Sequence, residues 1–123
     1  MKIRTKALLA AGATVALTMG GATVAMADSN VNIYNDGILR ATATFTAYGE
    51  HLKVYDQYAD GWGARSYYDF PGTSSYADHT SGAGTAPTDV NLSIPDGQTI
   101  NYNICSKDGS TVLACTPKIR DTA

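Results

Sequence analysis

Apolar and polar residues alternate along most of the chain after residue 30, and the clearest alternation runs from Ile38 to Tyr48. A period of two places every second side chain on the same face of a strand, whereas a helix repeats every 3.6 residues. We therefore predict a half-buried antiparallel strand here. Its apolar face carries Leu39, Ala41, Ala43, Phe45 and Ala47.

Six further segments have strand character, at 31–34, 51–55, 64–70, 90–94, 100–104 and 111–116. Turn-forming triplets such as Asn35-Asp36-Gly37 and Pro95-Asp96-Gly97 separate them. About seven strands without a helix predict an all-β fold, an antiparallel two-sheet β-sandwich of immunoglobulin-like or jelly-roll-like type. Each half-apolar sheet needs a second layer to cover it. The alternative is a small β-barrel.

One stretch lacks strand character. The segment from Pro71 to Pro87 is rich in Gly, Ser, Thr and Ala and has no large aliphatic residue. Such a composition is typical of a surface connection, so we predict the longest and most mobile loop of the domain here.

The N-terminus has the order of a secretory signal peptide. Three basic residues precede an apolar run, and Ala25-Met26-Ala27 forms a small-x-small cleavage pattern before the polar start at Asp28. A membrane span needs about 20 strongly apolar residues, and glycines and threonines interrupt this run. We predict a signal peptide at 1–27 and one secreted, extracellular domain at 28–123, with no membrane attachment after cleavage.

Charge and cysteine content refine this picture. Residues 28–123 contain six Lys and Arg against eleven Asp and Glu, a net charge of −5, which disfavours nucleic acid as a partner.

Two cysteines in an exported chain predict a disulfide, Cys105–Cys115, over the alternatives of free thiols or half a metal site. A two-residue turn at Asp108-Gly109 would set Cys105 opposite Val112, out of reach of Cys115. We therefore expect a bulge or a longer loop, such as a five-residue loop from Asp108 to Val112.

Four short motifs resemble a group of small exported proteins of high-GC Gram-positive bacteria. They are the segment from Tyr48 to Asp56, Ala59-Asp60-Gly61, the segment from Asn91 to Gly97, and the C-terminal cysteine pair. The resemblance implies a signal peptide followed by one β-sandwich of unassigned function, and it implies no catalytic residue.

Aromatic residues crowd the middle of the chain, and Trp62 lies between two glycines in a turn. An aromatic ring presented to solvent can stack on the apolar face of a sugar, so Trp62, Tyr58 and Tyr67 are the candidate ligand-binding residues. The alternative is that these rings fill the core between the sheets. Asp56 and Asp60 are weak calcium candidates, with closure of Asx turns as the alternative. We predict no cofactor and no other metal ligand.

These features favour a secreted, non-enzymatic binding domain that takes glycan or cell-wall polysaccharide through its aromatic residues. A protein-interaction or inhibitor module is the alternative. A small hydrolase is a third hypothesis, disfavoured because the chain has no Gly-x-Ser-x-Gly elbow and no marked pair of carboxylates.

Overall fold

Residues 28–123 are described by the structure, a computed structural model, and the predicted signal peptide at 1–27 lies outside the described residues. Two antiparallel sheets, one of four strands and one of six, account for this part of the chain. The strands are β1 (Asp28–Asn35), β2 (Ile38–Thr46), β3 (His51–Asp56), β4 (Gly63–Phe70), β5 (Thr73–His79), β6 (Thr88–Asn91), β7 (Thr99–Tyr102), β8 (Cys105–Asp108), β9 (Thr111–Cys115) and β10 (Ile119–Thr122).

The first sheet has the order β1-β2-β3-β6. A two-residue turn joins β1 to β2, where Asp36 and Gly37 have φ of 54° and 74°, the positive angles that match the twist of a hairpin. The predicted inner face is confirmed at four of five positions: Ala41, Ala43 and Phe45 of β2 and Ala47 just after it are buried, while Leu39 is only partly so.

The second sheet is organised around β4. Strand β5 pairs along one edge of β4, and β7 and β8 pair with opposite ends of its other edge. Strands β10 and β9 extend the sheet beyond β7 and β8. The two-sheet prediction is therefore confirmed, and within residues 28–123 the strands do not close into the alternative barrel. Nor does this range contain a helix long and apolar enough to cross a bilayer.

The predicted number of strands was too low, and the prediction of one long loop at Pro71–Pro87 was wrong. Strand β5 occupies Thr73–His79 and pairs with β4 along its whole length. It buries only Ala77 and His79, so it lacks the aliphatic alternation that identifies a strand in sequence. Strand β10 was also missed, and the chain that follows Thr99 is divided into β7 and β8.

The core between the sheets is built from aliphatic side chains and three aromatic rings, Phe45, Tyr68 and Tyr102. Tyr102 is fully buried, and its hydroxyl lies 2.6 Å from Ser29 Oγ, which also donates to the Asp121 carboxylate. Burial raises the pKa of the Tyr102 phenol to about 12. Because Ser29 belongs to β1 and the other two residues to β7 and β10, this polar contact ties the two sheets together.

The predicted disulfide is confirmed. Cys105 and Cys115 are direct partners across β8 and β9, with Cα atoms 4.1 Å apart. The register shifts between Ser106 and Lys107, so the predicted bulge is present. The turn itself is two residues, Gly109-Ser110, and the five-residue loop was wrong. Moving the turn by one position and adding one bulged residue brings the cysteines into register.

We expect the double substitution Cys105→Ser with Cys115→Ser to lower the free energy of unfolding by about 2–3 kcal/mol, because the bridge restricts the unfolded chain. Urea unfolding at neutral pH measures this loss. Wild type in reducing buffer is the matched control and should fall by a similar amount. An unchanged midpoint in both samples would contradict the prediction.

We expect Tyr102→Phe to lower the free energy of unfolding by about 1 kcal/mol, because the ring is kept while the hydrogen bond between the sheets is lost. Tyr48→Phe is the control, since Tyr48 is 82% exposed and lies in the turn after β2. Both variants are compared by urea unfolding. Equal urea midpoints for the two variants would show that the hydrogen bond of the Tyr102 hydroxyl adds nothing to the stability of the domain.

Candidate functional site

A β-bulge on β2 sets the position of Arg40. Ile33 pairs with Ala41 and Tyr34 with Leu39, so Arg40 has no partner of its own on β1. A bulged residue interrupts the pleat and can turn its side chain away from the regular direction of the strand. The connection from β3 to β4 contacts Arg40 directly, starting with a hydrogen bond from Gln57 N to the Arg40 carbonyl oxygen at 2.9 Å.

This connection, residues 57–62, wraps around the Arg40 guanidinium. The guanidinium carbon lies 4.9 Å from the ring centroid of Tyr58 and 4.9 Å from that of Trp62. Arg40 also donates to Asp60 Oδ2 at 2.5 Å. A cation on aromatic faces and against a carboxylate is stabilised by both contacts. Arg40 therefore fixes two of the three candidate ligand-binding rings in one cluster.

Both weak calcium candidates close turns in this connection. Asp56 Oδ1 accepts from Tyr58 N at 3.2 Å, and Asp60 Oδ1 accepts from Trp62 N at 2.9 Å. These are Asx turns, the alternative interpretation of the two residues. The second Asp60 oxygen is taken by Arg40. Within residues 28–123 no group of three or more His, Cys, Asp or Glu side chains that could hold a metal ion is found.

Trp62 borders two open clefts at the end of the sandwich where the chain passes from the first sheet to the second. The larger measures about 460 Å³ and the smaller about 210 Å³. The larger cleft is lined by Asp56, Ala59, Gly61, Trp62, Thr80, Ser81, Gly82 and Ala83. The smaller is lined by Gly61, Trp62, Gly63, Thr80 and Gly109. The indole is thus shared by two adjoining concave surfaces, which we call the Trp62 groove.

The far wall of the Trp62 groove is the loop after β5, which His79 holds in place. His79 is 2% exposed, and its Nε2 lies 2.9 Å from Thr85 Oγ1 and 3.3 Å from the Gly82 carbonyl oxygen. Its Nδ1 lies 3.1 Å from Thr88 Oγ1. Since a carbonyl oxygen only accepts, Nε2 carries a proton in this arrangement. The imidazole therefore spans the loop and is not itself presented to the groove.

Among residues 28–123, Asp56 is the only charged residue that lines the groove. It is 7% exposed and ends β3 directly opposite Ala41. Burial raises the pKa of its carboxyl, and the charge of Asp60 acts in the same direction. The hydrogen bond from Tyr58 N and the proximity of His79 oppose these effects. The groove therefore contains a desolvated acid with one hydrogen bond from residues 28–123.

The third candidate ring, Tyr67, lies elsewhere. It packs edge-on against Tyr76 with the ring centroids 5.8 Å apart on the outer face of the second sheet. Arg65 lies over Tyr76 at 3.8 Å and donates two hydrogen bonds to Asp78, which also accepts from Lys107 Nζ at 2.8 Å. These cations, with Arg65 the stronger, lower the pKa of the Asp78 carboxyl. Tyr67 thus belongs to a separate aromatic patch, defined as Arg65, Tyr67, Tyr76, Asp78 and Lys107.

A third open cleft, of about 450 Å³, lies beside the turn between β4 and β5. Asp69 in its wall accepts from Lys118 Nζ at 2.6 Å and from Asn101 Nδ2 at 3.0 Å. These two hydrogen bonds lower the pKa of the Asp69 carboxyl. Because its carboxylate is already paired, this cleft is a weaker candidate than the Trp62 groove.

The predicted mobile loop contained Asp78 and His79, and this prediction was wrong. Both lie on β5, where Asp78 is paired with two cations and His79 is buried. The role of Arg40 was not predicted, because in sequence it looks like one more outward residue of β2. No spacing pattern links it to the rings of Tyr58 and Trp62, which lie 18 and 22 residues later. Its one distinguishing feature in sequence is a positive charge near the start of an alternating strand.

Comparison of the chain with family models, with curated proteins and with solved structures finds no match. The resemblance to small exported proteins of Gram-positive bacteria therefore stays a prediction.

We expect His79→Leu to loosen the far wall of the Trp62 groove, because leucine occupies similar space but cannot bond to Thr85, Thr88 or Gly82. Backbone amides of residues 80–87 should exchange at least about tenfold faster, the effect of losing a buried hydrogen bond. Hydrogen exchange with mass spectrometry measures this. His51→Leu is the control, since His51 pairs with Asp89 on the first sheet. Equal exchange in both variants would contradict the role of His79.

Proposed function

We propose that residues 28–123 form a secreted, non-enzymatic binding domain that holds a glycan along the Trp62 groove. The observation that carries this proposal is that one indole borders both clefts while Arg40 fixes it beside Tyr58. A ring held in place loses little conformational entropy when a ligand stacks on it, which favours binding.

The composition of the groove supports a sugar over a purely apolar ligand. Small-molecule sites combine apolar surface with a few convergent polar groups. Here the indole supplies the apolar surface, and Asp56, Thr80 and Ser81 supply acceptors and donors for hydroxyl groups. The openness of both clefts suits a chain that passes through, with one unit on either side of Trp62.

Secretion is part of the same proposal. A disulfide persists in oxidising surroundings outside the cytoplasm, and the Cys105–Cys115 bridge is compatible with that location. The basic, apolar and small-x-small order of residues 1–27 supports export through a cleaved leader. Mass spectrometry of the protein recovered from culture medium tests this: a chain beginning at Asp28 is expected.

A protein-interaction module is the second candidate, and the aromatic patch of the second sheet favours it. Tyr76 is 50% exposed and is covered on one side by Arg65. Tyrosine and arginine are enriched among the residues that dominate protein interfaces. The two candidates use different surfaces, so variants at Trp62 and at Tyr76 separate them.

The hydrolase hypothesis receives less support from the site. The nitrogens of His79 are engaged with its own loop. His51 pairs with Asp89 at 2.8 Å, a half-exposed pair on the first sheet that borders neither cleft at Trp62. A general base must reach the proton that it abstracts, and neither histidine lines the groove.

We expect the Trp62 emission to change saturably when one class of glycan is added, because the chain contains a single tryptophan and it lies at the proposed site. Trp62→Ala should weaken retention on that glycan at least about tenfold, as for a central aromatic contact. Tyr48→Ala, which removes a ring that is 82% exposed in a distant turn, is the control.

Affinity is measured by isothermal titration with soluble oligosaccharides and by pull-down with insoluble polysaccharides. Binding that survives in Trp62→Ala and is lost in Tyr76→Ala would move the site to the aromatic patch. No emission change and no retention on any glycan would contradict the proposed function.

A further inference from the structure

The charge of the Trp62 groove restricts which sugars it can hold. Within residues 28–123, Asp56 is the one charged residue in its lining, and the cation of the neighbouring cluster, Arg40, is already paired with Asp60. An anionic sugar would therefore meet a carboxylate with no compensating cation in the groove wall. Neutral and cationic sugars are the two classes left.

Asp56 favours the cationic class. Its Oδ1 accepts from Tyr58 N, and within residues 28–123 its Oδ2 accepts no hydrogen bond and the residue forms no ion pair. Oδ2 is not among the fully buried unpartnered atoms, and Asp56 is one of the residues that line the larger cleft. Desolvating a carboxylate without a cationic partner is unfavourable, and a ligand that supplies the cation offsets that penalty.

The indole of Trp62 also favours a cationic sugar. An ammonium group near the face of a tryptophan is attracted by the ring quadrupole. Asp56 and Trp62 line the same cleft, so an amino sugar held there would meet both the indole and the carboxylate. Arg40 already lies over the indole, so the sugar would have to use the part of the ring that borders the cleft.

We propose that the Trp62 groove binds a glycan with free amino groups, an unacetylated glucosamine-type unit whose ammonium pairs with Asp56. This inference rests on the proposed glycan-binding function and specifies its ligand. An N-acetylated unit has no charge to offer Asp56, and a glucose unit offers only a hydroxyl. Discrimination between these sugars is therefore the property that Asp56 supplies.

The fold gives a way to separate binding from folding in the key variant. Asparagine at position 56 keeps the oxygen that accepts from Tyr58 N and removes the charge. Because burial raises the pKa of Asp56 in the folded chain, with Asp60 reinforcing this and His79 opposing it, the ionised carboxylate weakens folding. The stability that protonation gives is present below the ordinary pKa of about 3.9 and is lost as pH rises through the folded pKa.

Asp56→Asn should therefore be at least as stable as wild type at pH 7, with the difference disappearing in acid below pH of about 4. Urea unfolding at the two pH values checks this. A loss of binding in Asp56→Asn then reports on recognition and not on a failure to fold.

The experiment compares three oligosaccharides of equal length by isothermal titration: fully deacetylated glucosamine, N-acetylglucosamine and glucose. Wild type should bind the deacetylated oligomer about tenfold more tightly than the other two, as expected for a hydrogen bond to a charged group. Asp56→Asn should lose that preference. Asp96→Asn removes one exposed acid from a distant turn and makes the net charge less negative by the same single unit, so it should keep the preference.

Three outcomes would overturn this inference. Equal affinity for all three oligomers in wild type leaves the proposed function standing and removes the amino-sugar preference. Binding of the deacetylated oligomer that persists in Trp62→Ala indicates adsorption of a polycation on an acidic protein. Absence of binding to any oligomer removes the proposed function as well.

Discussion

The contact on which the candidate site depends is the Arg40 guanidinium between Tyr58, Trp62 and Asp60. It anchors the connection that carries the chain from the first sheet to the second, and it fixes the orientation of the only tryptophan. The ion pair is largely buried, and Arg40 Nε is one of two buried polar side-chain atoms without a partner within residues 28–123. Such an arrangement contributes little net stability, so its value lies in positioning.

The rest of the domain compensates for a modest core. Several inner positions carry alanine, including Ala41, Ala43, Ala64 and Ala77, and a domain of this size buries a limited share of its surface. Stability therefore depends on contacts that join separate elements. The disulfide closes the β8–β9 hairpin, the Tyr102 hydroxyl joins β1 to β7, and Asp78 with its two cations joins β5, β4 and β8.

One wall of the Trp62 groove is built from small, uncharged residues that depend on a neighbouring side chain for their position. Thr80, Ser81, Gly82 and Ala83 form one side of the larger cleft. They keep that position because a buried imidazole contacts the loop at Gly82 and Thr85 and the start of β6 at Thr88. Gly63 lets the strands approach, since a Cβ there would lie 2.8 Å from the His79 carbonyl oxygen.

The amino-acid sequence by itself determined the class of fold, the inner face of β2, the turns at Asp36-Gly37 and near Gly109, and the disulfide. These depend on local alternation, turn propensity and short loops, which a single chain segment displays. Only the tertiary structure decided that β5 is a strand, because its stability comes from pairing with β4 and not from its own apolar pattern. The same holds for the site. The sequence marked Trp62 as a candidate ligand-binding ring, with core filling as the alternative. Its association with Arg40 and its separation from Tyr67 follow from a bulge and a sheet-to-sheet crossing that bring distant residues together, which no local pattern encodes.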